Sequence, residues 1–178
     1  MINKIRLKKL FMRFILYLAL FPYILALTVF GLNIGADVYS KYKFKKTFIE
    51  SLNTPTFPNA REILQQFNSY GDNKIVSFTA IENGRPIVIE EMTDIEENVL
   101  FEDVAGLAYP KLTSCTIKLR RNLDTKELKD TLLHEYLHCY GYDHVDNPED
   151  LMYYSINPVD KENNIREYAK KLKEEFYE

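Results

Sequence analysis

All three histidines of the chain fall within residues 134–144, which read HEYLHCYGYDH. His134 and His138 are four residues apart, so on a helix their side chains lie on one face. Two imidazole nitrogens on one face can bind the same Zn²⁺ at about 2.0–2.1 Å. A lone histidine on a helix is more often a packed or solvent-facing residue, but here every histidine has the spacing of a metal ligand. We therefore predict a zinc site.

The residues around these histidines predict a catalytic site rather than a structural one. Glu135 follows the first ligand and would lie beside the metal, where it could take a proton from a water that the ion activates. Gly141 tolerates the left-handed backbone that ends a helix, so the chain can turn there and bring back His144 as a third ligand. Three protein ligands leave the fourth position for water, as catalytic zinc sites do.

The chain resembles the metzincin family of zinc endopeptidases in the motif His134-Glu135-x-x-His138-x-x-Gly141-x-x-His144 and in the methionine that follows it, Met152. Residues 144–153 are most similar to the matrixin branch, which typically reads HSxDPxALMYP and matches at Pro148, Leu151, Met152 and Tyr153. The chain departs from that pattern at Val145, Asn147 and Tyr154. The resemblance covers roughly residues 57–176, and only residues 132–153 are specific.

The resemblance implies roles for further residues. Met152 would form a tight turn packed beneath the metal without binding it. Tyr154 has the position at which astacins and serralysins place a tyrosine that stabilises the oxyanion or approaches the zinc, although an ordinary packed or exposed tyrosine is the alternative. An extended peptide substrate would pair with an edge strand, here matched by Gly106, Leu107, Ala108 and Tyr109. A strand that contacts no ligand is the alternative there.

Local patterns predict the elements that would position these residues. We expect a helix over 59–70, strands over 74–82, 86–92, 107–109 and 116–119, and a hairpin turn at Asn83-Gly84. Asp124 and Glu127 form a capping-box pattern that predicts the start of the zinc helix, and Asn157-Pro158 predicts the start of a final helix. The family resemblance implies an α+β, metzincin-like zincin domain with a mixed sheet, a zinc helix, a methionine turn and a C-terminal helix.

An apolar segment without charges, residues 14–36, predicts a membrane anchor, because about 20 residues suffice to span a bilayer. A cleaved signal has a shorter apolar core, although residues 34–36 could form a cleavage site. We predict a basic N-terminal segment (1–13), a transmembrane helix (14–36), a basic juxtamembrane linker (37–56) and a catalytic domain (57–178). Lys and Arg are nearly balanced across the span, five before and four after it. The extracytoplasmic placement of the domain therefore follows from the resemblance to exported enzymes.

The net charge of −3 is unevenly distributed. Residues 1–46 hold nine Lys and Arg and one Asp, whereas the remainder holds 14 Lys and Arg against 25 Asp and Glu. The basic flanks suit anionic lipid head groups, and the acidic remainder argues against nucleic acid as a partner. We expect a protein or peptide substrate and a lipid bilayer as partners, and the oligomeric state stays open.

Cys115 and Cys139 are the only cysteines. We expect each to be a free, buried thiol, because two cysteines do not define a disulfide framework. A disulfide between them, which would suit an exported domain, is the alternative. No cysteine-switch prosegment is visible in the sequence, and calcium sites built from carboxylates stay open.

These observations predict a membrane-anchored zinc-dependent endopeptidase with Glu135 as general base. The alternative is a catalytically silent, zinc-containing domain that binds peptides. Glu135 favours the enzyme, because inactive relatives commonly lose this residue.

Overall fold

The structure, a computed structural model, describes residues 46–100, 104–154 and 160–177, without the side chains of residues 99 and 100. The chain divides into two units after Lys41, and all described residues belong to the second, Tyr42–Glu178. The predicted membrane segment, residues 14–36, lies outside the described residues. None of the helices in the described ranges has both the length and the apolar character that crossing a bilayer requires.

Four strands form one mixed sheet in the order β1-β2-β4-β3, with bounds Thr47–Leu52 (β1), Arg85–Glu91 (β2), Gly106–Pro110 (β3) and Cys115–Leu119 (β4). Strand β2 pairs in parallel with β1 and with β4, and β3 pairs antiparallel to β4. Strand β3 is therefore at one edge of the sheet. Three of the predicted strands are confirmed as β2, β3 and β4.

In the part of the chain that the structure describes, three α-helices pack with the sheet in an α+β arrangement: Ala60–Tyr70 (α1), Thr125–Cys139 (α2) and Glu162–Phe176 (α3). Helix α2 packs on β3 and β4, and α1 contacts both α2 and α3. A short π-helical turn, Glu96–Leu100, lies between β2 and β3. Helix α1 agrees with its predicted range, and it buries Ile63, Leu64 and Phe67 as its spacing indicates.

The start of α2 confirms the predicted capping box. The Asp124 carboxylate accepts a hydrogen bond from the Glu127 N–H at 2.8 Å, and the Glu127 carboxylate accepts one from the Asp124 N–H at 3.1 Å. These bonds satisfy two N–H groups that have no partner within the helix. The capping box thereby defines where the helix starts, and the helical repeat then sets which face each later side chain occupies.

The start predicted for the final helix, at Asn157-Pro158, lies outside the described residues. Helix α3 begins at Glu162, and the two described residues before it are not helical. The Asp160 carboxylate accepts a hydrogen bond from the Glu162 N–H at 3.0 Å, which satisfies the first N–H of the helix. Ile165 and Leu172 of this helix are buried in the core.

The strand predicted over residues 74–82 is absent, and Asn83-Gly84 joins no hairpin. The N–H groups of Ile75 and Val76 both donate to the Asn68 side chain at 2.9 Å, which holds this segment against α1 instead. The strand that pairs with β2 on the side away from β4 is β1, which falls within the predicted linker, residues 37–56. Its buried residues Thr47 and Ile49 alternate with less buried ones.

A disulfide joins Cys115 and Cys139, so the expectation of two free thiols is wrong. Cys115 is the first residue of β4 and Cys139 is the last residue of α2. The packing of α2 on β4 brings their Cα atoms within 5.8 Å, which is an ordinary distance for a disulfide. Both half-cystines are buried in the core.

Candidate metal centre

Helix α2 and the turn after it bring the three histidines together. The Nε2 atoms of His134 and His138 are 3.0 Å apart, and each is 3.1 Å from the Nε2 atom of His144. Three nitrogens at these separations can all lie about 2.0–2.1 Å from one ion. The three side chains are therefore close enough to hold a metal ion.

The hydrogen bonds of two rings determine which nitrogen faces the centre. His134 donates from Nδ1 to the Leu151 carbonyl at 2.7 Å, and His138 donates from Nδ1 to the Tyr142 carbonyl at 2.7 Å. Because a carbonyl oxygen only accepts, the proton of each neutral ring is on Nδ1 and Nε2 is an unprotonated acceptor.

Burial keeps these two rings neutral. It lowers the pKa of His134 to about 4, against the opposing effect of the Leu151 carbonyl, and it lowers the pKa of His138 as well. Two acceptor nitrogens that face each other at 3.0 Å cannot hydrogen bond to one another. A cation between them would satisfy both lone pairs, so the donor set fits a metal that prefers imidazole nitrogen.

The turn after α2 delivers the third histidine. Gly141 has a φ of 84°, a left-handed conformation that L side chains rarely adopt, and its N–H donates to the His138 carbonyl at 2.9 Å. The chain then reverses and places His144 beside the helix. The Val145 N–H donates to the Met152 carbonyl at 3.0 Å, which ties this loop to the methionine.

Glu135 follows the first histidine of α2 and is buried, with 6% of its surface exposed. Burial raises the pKa of its carboxyl to about 7, while a hydrogen bond from the Ala108 N–H acts in the opposite direction. Glu135 is thus a carboxyl that is held by the edge strand β3 and that can change its protonation state near neutral pH.

Strand β3 approaches α2 closely at Gly106. A Cβ atom on this residue would lie 2.5 Å from the Thr131 Cγ2 and 2.8 Å from the Glu135 Cγ, both of which are too short for real contacts. A glycine is therefore needed for the strand to reach the helix here. The sequence predicts the strand, but it contains no signal that its Ala108 N–H binds Glu135.

The ladder between β3 and β4 shows which way the backbone groups of β3 point. The Arg120 N–H donates to the Ala105 carbonyl, and the Lys111 N–H donates to the Ser114 carbonyl, each at 2.8 Å. In an antiparallel pair, successive residues direct their N–H and C=O groups alternately toward and away from the partner strand. The backbone groups of residues 107 and 109 therefore face β4, and those of Gly106 and Ala108 face outward. The predicted residues Leu107 and Ala108 are half-buried, and Tyr109 is exposed.

Met152 lies in a turn, and its side chain is fully buried. Its N–H donates to the Asp150 carboxylate at 2.7 Å, and the carbonyl of Leu151, the residue before it, is the acceptor for His134. The turn therefore lies directly behind a histidine of the triad. Tyr154 is 66% exposed and accepts a hydrogen bond from the Tyr153 hydroxyl at 3.0 Å, and its oxyanion role stays a prediction.

Sequence reasoning missed three residues behind this turn. Asn164 accepts from the Leu151 N–H at 2.6 Å and donates to Asp150 at 3.1 Å, and Tyr168 donates to Asp150 at 3.0 Å. The only signal in the sequence is the spacing of four between Asn164 and Tyr168, which places both on one face of α3.

Comparison of the chain with protein-family models, with curated proteins and with solved structures finds no match. The likeness to the metzincin signature therefore stays an inference from residues 134–152.

Proposed function

We propose that this chain is a membrane-anchored, zinc-dependent endopeptidase with a metzincin-like catalytic domain. The observation that carries the proposal is the convergence of the three histidine Nε2 atoms, with a buried glutamate next to the first histidine in the helix. The rings of His134 and His138 are fixed by bonds from Nδ1 to backbone carbonyls, and Glu135 lies next to His134 in the same helix. Structural zinc sites usually have four protein ligands, whereas three leave a position for water.

Zinc is the metal that we infer from the donor set. Three neutral imidazoles suit zinc, copper, nickel and iron, whereas magnesium and calcium prefer oxygen ligands. Zinc has no redox chemistry and is the common metal of sites with three histidines and an open position. When bound, it would polarise a peptide carbonyl and activate a water molecule.

The chemistry proposed for the chain itself rests on Glu135. Its carboxylate would accept a proton from the attacking water and then transfer this proton to the nitrogen of the leaving amine. A carboxyl whose pKa is about 7 can do both near neutral pH. The Ala108 N–H and the close packing at Gly106 would hold the carboxylate in one orientation during these transfers.

We propose that the substrate is an extended peptide that adds to the sheet along β3. The N–H and carbonyl of Gly106 and the carbonyl of Ala108 face outward from this edge, and main-chain hydrogen bonds of this kind bind peptides with little regard to side chains. Because Ala108 contacts the general base through its N–H, a peptide on this edge would lie beside Glu135.

The placement of the domain outside the cytoplasm is supported by the disulfide. Disulfides form and persist in oxidising compartments and are rare in the cytosol. The Cys115–Cys139 bond therefore favours an exported domain, behind the anchor predicted over residues 14–36. Resistance of the full chain to alkaline carbonate extraction from membranes would test the anchor, and release into the soluble fraction would contradict it.

The metal-dependent activity is tested with purified full-length protein and a peptide library read by mass spectrometry. We expect cleavage that a chelator abolishes and that added zinc restores, with about one zinc per chain by elemental analysis. His138→Ala should lose both zinc and activity, whereas the exposed residue Glu174 offers a control, Glu174→Gln, that should keep both. Zinc binding and peptide binding without any cleavage would instead support the silent peptide-binding domain.

A further inference from the structure

Helix α3 reaches the metal centre through a chain of hydrogen bonds that the predicted motif does not include. Asp150 precedes the turn at Met152, and its carboxylate accepts three bonds. Oδ1 accepts from the Met152 N–H at 2.7 Å and from the Tyr168 hydroxyl at 3.0 Å, and Oδ2 accepts from the Asn164 side chain at 3.1 Å. The turn is thereby attached to two residues of one face of α3.

Leu151 connects this network to the first histidine. Its N–H donates to the Asn164 Oδ1 at 2.6 Å, and its carbonyl accepts from the His134 Nδ1 at 2.7 Å. Both the N–H and the carbonyl of Leu151 are therefore hydrogen bonded. Leu151 and Met152 are also almost completely buried, so the turn has little freedom to shift while these bonds are intact.

We propose that Asp150, Asn164 and Tyr168 are positioning residues for His134, and that they act through the Leu151 carbonyl. A histidine ligand is oriented by the partner of its second nitrogen, which fixes the tautomer and the direction of the ligating atom. Here that partner is a backbone carbonyl whose own position depends on α3. The inference rests on the metal site of the proposed function, but not on peptide hydrolysis.

Variants of α3 can remove different numbers of hydrogen bonds from this network. Asn164→Ala removes both the bond to Leu151 and the bond to Asp150, whereas Tyr168→Phe removes a single hydroxyl from the network. Tyr70→Phe is a matched control, because the Tyr70 hydroxyl donates to a different carboxylate of α3, that of Glu162. This control loses a contact between helices without affecting the turn.

The test measures zinc affinity by chelator competition and the tautomer of His134 by ¹⁵N NMR of the metal-free protein. We expect Asn164→Ala to weaken zinc binding by about 10- to 100-fold, the usual loss for partners of metal ligands. Tyr168→Phe should weaken it by about three- to tenfold, and Tyr70→Phe by less than about twofold. In the metal-free wild type His134 should carry its proton on Nδ1, and Asn164→Ala should show a mixture of tautomers.

Unchanged zinc affinity and an unchanged tautomer in folded Asn164→Ala would overturn the proposal. If that variant does not fold, Tyr168→Phe decides in the same way, because it removes only one hydroxyl. A wild type that binds no zinc would contradict the proposed function, and the tautomer measurement would still test the positioning of His134. Loss of affinity without any peptidase activity would support the positioning role alone.

Discussion

Gly106 in β3 lies so close to Glu135 in α2 that a Cβ atom at position 106 would fall 2.8 Å from the glutamate Cγ. The same strand donates the Ala108 N–H to the Glu135 carboxyl. One strand edge therefore orients the proposed general base and, in our account, also binds the substrate. The two functions depend on a single contact between a strand and a helix.

Replacement of this glycine should impair catalysis more than metal binding. Gly106→Ala would push β3 away from Thr131 and Glu135, and we expect a loss of stability of about 1–3 kcal/mol from overpacking. We also expect kcat/KM to fall at least about tenfold, because small misplacement of catalytic groups is costly. Zinc affinity should stay near the wild-type value. Gly71→Ala, whose Cβ would meet the buried Ile75 side chain at 3.0 Å instead of Glu135, is the control for overpacking elsewhere. Full activity in Gly106→Ala would contradict this role.

The disulfide should contribute to stability without being required for the fold. Its half-cystines are 24 residues apart in sequence, so closing this loop should stabilise the domain by about 3 kcal/mol. Arg85 donates to the carbonyls of Cys139 and Ser114, and it would still join α2 to the start of β4 after the disulfide is removed. Urea unfolding of the Cys115→Ala/Cys139→Ala double variant measures the difference. Two thiols that react with an alkylating reagent in the unreduced, denatured wild type would show that the bond does not form.

Strand β1 should be necessary for a stable soluble domain. Its Thr47 hydroxyl hydrogen bonds with the Tyr140 hydroxyl at 2.6 Å, just after the end of α2, and Ile49 is part of the core. A chain that begins at Tyr42 should therefore unfold cooperatively, whereas one that begins at Thr54 should be strongly destabilised or aggregate. Circular dichroism melting of both truncated chains tests this. Equal melting temperatures would show that β1 is dispensable.

Strand β1 shows which parts of the fold could be predicted from the sequence and which could not. The capping box at Asp124 and the spacing of His134 and His138 are local, so they could be read directly, as could the strands that became β2, β3 and β4. By contrast, β1 and residues 74–82 offer comparable apolar patterns, and the choice between them depends on which segment pairs with β2. In the fold the Asn68 side chain accepts hydrogen bonds from the N–H groups of Ile75 and Val76 in the second segment, a contact that no local pattern predicts.

The same limit applies at the candidate site. The triad and Glu135 lie within eleven residues, and their proximity follows from one helix and one turn. The Ala108 N–H, the Leu151 carbonyl and Asn164 come from three other parts of the chain, and they meet the site only through tertiary packing. The proximity of the three histidines could thus be predicted from the sequence, whereas the groups that orient them could not.

An ion pair beside β3 predicts a specific response to acid. The Lys118 ammonium, together with groups of Thr93, lowers the pKa of Glu96 from 4.5 to about 2. A carboxyl whose pKa is lower in the folded state adds stability above its unfolded value, and this stability is lost as the pH falls. Glu96→Gln should therefore melt slightly below the wild type at pH 6, and the difference should disappear between about pH 4.5 and pH 2. Thermal melts across this range measure it, and a difference that grows in acid would contradict the assignment.

The proposed role of Glu135 as the general base of a zinc peptidase is tested most directly by the kcat of Glu135→Gln at equal zinc content. The substitution keeps the size of the side chain and leaves His134, His138 and His144 in place. We expect one zinc per chain, as in the wild type, and a kcat that is lower by about two to four orders of magnitude. A Glu135→Gln protein that contains zinc and cleaves peptides at nearly the wild-type rate would contradict the account.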